Sequence, residues 1–232
     1  MSVRHKGFVT VVVILVLCIT STQVAAATVH HDLEVRIQPD QNSLQVVDRV
    51  TFEEAVTADE NGAYRFVLHA GLEPRVATPG WTLQLQDGPA EAGFLGINAT
   101  TDTVSENVPL EAYLLIPEGA PPGTVELVYG GVIHHQLATQ GEEYQRSFSE
   151  TPGIIDDRGV FLAGASFWVP TFGDGLMTFD LAVGGLTPPW DVVSQGRRTH
   201  HDVDSESLRS TSWSLAHPTE EIYLCLLYTS DA

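Results

Sequence analysis

From position 29 onward the chain alternates apolar and polar residues with a period of two, the spacing of strands rather than helices. Val29, His31, Leu33, Val35 and Ile37 fall on one face, and His30, Asp32, Glu34 and Arg36 on the other. Pro39-Asp40-Gln41-Asn42-Ser43 then supplies turn chemistry, after which Leu44, Val46, Val50 and Phe52 share a side. The two runs predict a hairpin with one wet face, as an antiparallel sheet allows. Tyr64, Phe66 and Leu68 alternate after Asn61-Gly62, a strong turn dipeptide. Further strands are expected at 81–85, 112–116, 124–129, 159–162, 177–183, 190–194 and from 221 onward. Asp87-Gly88, Pro121-Pro122-Gly123, Gly173-Asp174-Gly175 and Pro188-Pro189 punctuate them. No window offers three turns of helix. Many short strands with Gly and Pro between them predict an all-β fold, a twisted antiparallel β-sandwich or saddle. Residues 137–157 form the longest stretch without strand pattern, and His200-His201-Asp202 is read as a loop.

At 232 residues there is room for a sizeable core, but not all of the chain is expected to join it. Arg4 and Lys6 precede an apolar run from Phe8 to Ile19, and Ala25-Ala26-Ala27 offers a small-residue cleavage site. Residues 1–27 therefore read as a secretory signal peptide, which places the mature protein outside the cytoplasm, secreted or periplasmic. A membrane anchor is the competing reading, and the run is shorter than the roughly 20 residues a span needs. Of the two cysteines, Cys18 lies in the signal and Cys225 near the end, so no internal disulfide is expected. Removing the signal leaves nine Arg and no Lys against thirty carboxylates. Such a surface repels nucleic acid and anionic lipid, and its ordinary role is hydration and solubility. At the other end, residues 225–232 read as Cys-Leu-Leu-Tyr-Thr-Ser-Asp-Ala, which resembles a translated sequencing-library adapter. They are expected to lie outside the fold, the rival reading being that Cys225, Leu226 and Leu227 complete a last strand.

Chemistry-bearing residues are sparse. His30-His31, His134-His135 and His200-His201 invite a metal reading, but successive strand side chains point to opposite faces and cannot share one ion. Glu142-Glu143 and Asp156-Asp157 are adjacent carboxylates of the kind any acidic chain contains. Ser149, Ser166 and Ser194 lack the Gly-x-Ser-x-Gly elbow of a hydrolase. Phe167, Trp168, Trp190 and Trp213 could stack on carbohydrate, though large aromatics more often pack a core. Asn98-Ala99-Thr100 is a glycosylation sequon. No catalytic, cofactor-binding or metal-ligating residue is assigned.

Four stretches carry a resemblance. Gly159 to Pro170 reads Gly-Val-Phe-Leu-Ala-Gly-Ala-Ser-Phe-Trp-Val-Pro, and a strand follows from Met177 to Val183. Pro188 to Gly196 reads Pro-Pro-Trp-Asp-Val-Val-Ser-Gln-Gly, and Trp213 leads to Pro218-Thr-Glu-Glu-Ile-Tyr-Leu224. In this order and spacing, residues 28–224 resemble the N-terminal β-domain of the zinc aminopeptidases, the gluzincins of the aminopeptidase N type. The resemblance implies a twisted β-saddle that packs on a thermolysin-like catalytic domain and helps to wall a cleft for peptide substrates. It implies zinc in that later domain, since the motif His-Glu-x-x-His is required there and this chain has no His-Glu dipeptide. The chain is accordingly expected to be a non-catalytic piece of a metallopeptidase, cut before the zinc-binding domain. A motif by which such domains contact the substrate N-terminus is not found: the corresponding region reads Gly164 to Pro170, and no substrate residue is carried over. A stand-alone extracytoplasmic β-sandwich that binds peptide or glycan is the alternative.

Overall fold

The first alternating run becomes a hairpin: β1 (Val29–Gln38) and β2 (Ser43–Phe52) pair along their whole length around a 3₁₀ turn at Pro39–Gln41. Asn42 closes that turn in left-handed backbone, with φ at 54°, a region Asn enters more readily than most residues. Burial alternates along the whole of β1, where Val29, His31, Leu33, Val35 and Ile37 are all buried. The computed structural model describes residues 28–52, 56, 58–87, 108–119, 123–136, 138–140, 148–173 and 176–228. Residues 1–27, expected to be a signal peptide, the sequon, Glu142-Glu143 and parts of three turn signals lie outside the described residues.

The chain continues through β3 (Tyr64–His69), β4 (Arg75–Val76), β5 (Trp81–Leu85), β6 (Leu110–Pro117), β7 (Thr124–Val132), β8 (Ala138–Gln140) and β9 (Phe148–Glu150). It then forms β10 (Gly153–Asp156), β11 (Gly159–Leu162), β12 (Thr171–Phe172), β13 (Met177–Leu186) and β14 (Trp190–Val193). Last come β15 (Arg197–Val203), β16 (Arg209–Thr219) and β17 (Leu224–Tyr228). Helical structure among the described residues is confined to 3₁₀ turns at Pro39–Gln41 and Gly164–Ser166. The all-β expectation is met.

Seven strands make a large sheet in the order β15-β16-β13-β1-β2-β7-β4. Two four-stranded sheets, β12-β3-β6-β5 and β10-β11-β17-β14, cover its inner face, and β8 and β9 pair separately. One pairing departs from the antiparallel expectation: β1 lies parallel to β13 from Val29↔Met177 to Val35↔Val183. Parallel neighbours need a long crossover, and here one small sheet and two of the four strands of the other are built within that crossover before the chain returns at β13. All three sheets share one core, which joins Leu33, Val46 and Phe179 of the large sheet to Phe66 and Leu115 of one cover and Leu162 and Leu226 of the other. Phe172 sits at the seam, with ring centroids 5.0 Å from Phe66 and 5.2 Å from Phe52.

Backbone meets backbone where β7 passes the turn after β3. A Cβ on Gly131 would overlap the Gly71 carbonyl oxygen, and one on Gly71 would lie 2.7 Å from the Val132 carbonyl oxygen. Glycine at these positions lets the first cover sheet seat on the edge of the large sheet.

Three expectations are corrected. Residues 197–203, read in part as a loop, are the strand β15, and β16 lies beside it. The segment 137–157 contains β8, β9 and β10. Residues set aside with the tail enter the fold, because Leu-Cys-Leu-Leu-Tyr is a β-competent apolar run and a slot between β11 and β14 accepts it. Leu226 is fully buried in that slot. Leu226→Ala is expected to cost about 2–5 kcal/mol of stability, measured as a fall in the denaturant midpoint at unchanged slope.

Candidate functional site

The three sequence-adjacent histidine pairs are each split by strand geometry. His31 points into the core while His30 faces outward, with Nδ1 2.9 Å from the Thr178 hydroxyl. His201 Nε2 lies 3.2 Å from both Asp191 carboxylate oxygens, whereas His200 turns to the Ser210 hydroxyl at 3.1 Å. His134 Nδ1 lies 3.1 Å from the Ile155 carbonyl oxygen, and its neighbour His135 faces His69 instead. Among the described residues no three His, Cys, Asp or Glu side chains gather as a metal site would require.

One buried polar group escaped the alternation argument. Asp48 interrupts the apolar face of β2 and is fully buried, receiving the His31 Nδ1 proton at 2.9 Å. Tyr129 is on the neighbouring strand, and its phenol is pushed well above its usual pKa by burial and then by the Asp48 charge. Its hydroxyl approaches Asp48 without reaching full hydrogen-bond geometry, and His31 Nε2, Asp48 Oδ1 and the Tyr129 hydroxyl all lack a partner. In sequence, Asp48 shows only as a gap in the pattern. With no solvent access, the cluster's role is internal.

The remaining candidates are structural. Arg158 grips Asp156 with Nε and Nη2, each at 3.0 Å, across the β10–β11 turn, and this contact holds the Asp156 carboxyl below its usual range. The Ser166 hydroxyl donates to the Ala163 carbonyl at 2.6 Å and that of Ser194 to the Tyr223 carbonyl at 2.7 Å, so neither is poised as a nucleophile. The side chain of Ser149 is outside the described residues. Trp168 is buried and donates its indole N–H to the Ile222 carbonyl at 2.8 Å, and Phe167 is buried beside it. Trp190 stacks on Tyr228 at 3.9 Å, and Trp213 lies under the Arg198 guanidinium at 5.9 Å.

What stands out is the sheet β10-β11-β17-β14, which is apolar on both faces. Its inner row Ile155–Val160–Leu226–Val192 crosses all four strands and is buried throughout. Its outer row places Phe161, Cys225 and Val193 side by side on β11, β17 and β14. Phe161 is 39% exposed, Val193 46%, and Leu227 on the same face 54%. Strands covered on one face alternate; strands that read as unbroken apolar runs are ordinarily covered on both. Phe161 and Val193 lie outside residues 225–232, but they are brought side by side by Cys225 of β17.

No family model matches the chain, and no curated protein matches it. Solved structures similar to it include yeast LTA4 hydrolase in complex with bestatin, at 12% identity and a TM-score of 0.49, covering 89% of this chain and 29% of that one. Aminopeptidase A of Legionella pneumophila in complex with aspartic acid is similar at 11% identity and a TM-score of 0.48, covering 86% and 21%. An M1 zinc metallopeptidase of Deinococcus radiodurans is similar at 15% identity and a TM-score of 0.45, covering 86% and 41%. The chain thus spans less than half the length of each.

Removing the Asp48 carboxylate strands a buried imidazole. Asp48→Ala is expected to lose about 3–5 kcal/mol, and Asp48→Asn, which keeps an acceptor for His31 Nδ1–H, about 1 kcal/mol. Chemical denaturation of both variants checks the order.

Proposed function

We propose that this chain is the non-catalytic N-terminal β-domain of a secreted zinc-dependent metallopeptidase acting on peptides. In this reading it docks a following catalytic domain through the outer face of the sheet β10-β11-β17-β14. The observation that carries the proposal is that face: Phe161 and Val193 stand exposed in a sheet whose strands are apolar on both sides. The motifs at 159–170, 188–196 and 213–224 support the same reading, since they resemble those of the zinc aminopeptidases. The residues present do not fit the metal itself. The chain has no His-Glu dipeptide to supply paired imidazoles and a catalytic carboxylate. Zinc chemistry would belong to the domain docked here, and this chain would contribute a wall and a rigid seat. Residues 1–27, as a signal peptide, would deliver the whole outside the cytoplasm.

A second reading, a stand-alone module for peptide or glycan, has one observation in its favour. The outward face of the large sheet carries an open hollow of about 480 Å³, lined by Glu34, Arg36, Gln45, Val47, Ala182 and Gly184. The small residues on β13 give it depth, and Glu34 and Arg36 give it polarity. Nothing in it converges on one ligand chemistry.

The two readings separate in the source reading frame beyond the codon for Leu224. Several hundred further codons including His-Glu-x-x-His support the first, and a stop within a few codons supports the second. In solution the isolated chain is expected to self-associate through its uncovered face. Multi-angle light scattering should show concentration-dependent growth in mass, abolished in the Phe161→Asp/Val193→Asp variant. A monomer at high concentration in the unsubstituted chain contradicts the docking face.

A further inference from the structure

His69 and His135 are 66 residues apart, yet their Nε2 atoms lie 2.9 Å from one another. His69 ends β3 and is 4% exposed. The Gly71 backbone N–H donates to His69 Nδ1 at 2.9 Å, so the His69 proton is on Nε2 and is donated to His135. His135 Nε2 is therefore the acceptor, and its own proton is on Nδ1. Each imidazole is neutral, and each acceptor nitrogen is in use. The pair ties the end of β3 to the strap leaving β7, and that strap is bonded onward to β10. His135 N–H donates to the Gly153 carbonyl at 3.1 Å, Ile155 N–H to the Ile133 carbonyl at 2.9 Å, and the Thr151 hydroxyl to the His135 carbonyl at 2.9 Å. One imidazole contact thus sits where all three sheets meet.

We propose that the His69–His135 contact is an acid-sensitive latch: protonating either ring replaces an acceptor nitrogen with a second donor and releases the strap at 133–136 from the end of β3. A proton on His135 Nε2 would face the His69 Nε2–H directly. A proton on His69 Nδ1 would face the Gly71 N–H. The pair therefore resists protonation while closed, and the open form takes up the proton. Burial followed by the nearby His135 ring pushes the His69 pKa down to about 4, and burial followed by His134 lowers that of His135.

Carboxylates on the surrounding elements do not offset this. Glu111 on β6 is engaged by the Tyr113 hydroxyl, Glu73 after β3 acts on that same phenol, and Asp156 on β10 is held by Arg158. Arg65 on β3, Asp40 in the turn before β2 and Glu126 on β7 are further charged groups on these elements, and none figures among the influences on either ring. A group whose folded pKa is depressed from 6.5 to about 4 leaves the closed form fully favoured above 6.5, with the advantage falling steadily as pH drops from 6.5 toward 4.

The test uses the full chain and two readouts. Nitrogen-15 NMR of the imidazoles should show His69 as the Nε2–H tautomer and His135 as the Nδ1–H tautomer at pH 7.5. Exchange of the His135 and Ile155 amides, corrected for intrinsic chemistry, should rise about thirty-fold between pH 7.5 and 5.0, while amides in the middle of β1 and β2 change little. The His69→Gln/His135→Gln variant, which cannot titrate, should lose that pH dependence at these two amides. The proposal is overturned if the unsubstituted chain shows less than about a three-fold change there, if its His69 titrates near 6.5 while the amides stay protected, or if the double variant keeps the full response. Should the double variant not fold, the tautomers and the exchange profile of the unsubstituted chain decide the matter.

Discussion

A strand sends successive side chains to opposite faces, so every apolar residue in this molecule commits one face of a sheet to being covered. That constraint organises the structure. The large sheet meets it with one apolar face and one charged face, and the apolar face is roofed by two smaller sheets. On the wet face, Arg49 can bond Glu34 at 2.7 Å and Glu126 at 3.1 Å without leaving water. Such half-exposed contacts add little stability. The core does the holding, and its main cluster reaches through all three sheets.

Where covering is incomplete, the physics becomes informative. The sheet β10-β11-β17-β14 spends apolar residues on both faces, but among the described residues only the inner one is roofed. The proposed docking role comes from that imbalance rather than from any catalytic group: Asp156, Ser166 and Ser194 are each bonded within a turn or to a strand end. The two buried histidine groups differ in the same spirit. His31 is bonded to a carboxylate inside the large sheet, whereas His69 is bonded to another imidazole at a junction between sheets. In the proposed latch, the second arrangement couples protonation to the separation of elements.

Much of this was legible in the sequence, and the parts that were not share a reason. The β1–β2 hairpin was readable because its inward positions are apolar at every second residue, apart from His31 and Asp48. β16 was missed because Arg-Ser-Thr-Ser-Trp-Ser-Leu-Ala-His-Pro-Thr offers Ser and Thr where alternation would show apolar residues. The exposed β15 beside it carries charge on both faces, as an edge strand often does. The sheet with two apolar faces gave strands but no register, because a run such as Gly-Val-Phe-Leu does not say which residue points inward. The His69–His135 contact was invisible for a plainer reason. Each histidine is ordinary in its local context, and only the closure of β3 against the strap after β7 brings them together.

Hydroxyl-radical footprinting of the chain in solution tests the two-faced sheet most directly, because it compares neighbours in sequence. Phe161, Val193 and Leu227 should be labelled rapidly, while Leu162, Val192 and Leu226, each one residue away, should stay protected. Equal labelling within these neighbouring pairs would contradict the account, since no sheet could then separate them onto covered and uncovered sides.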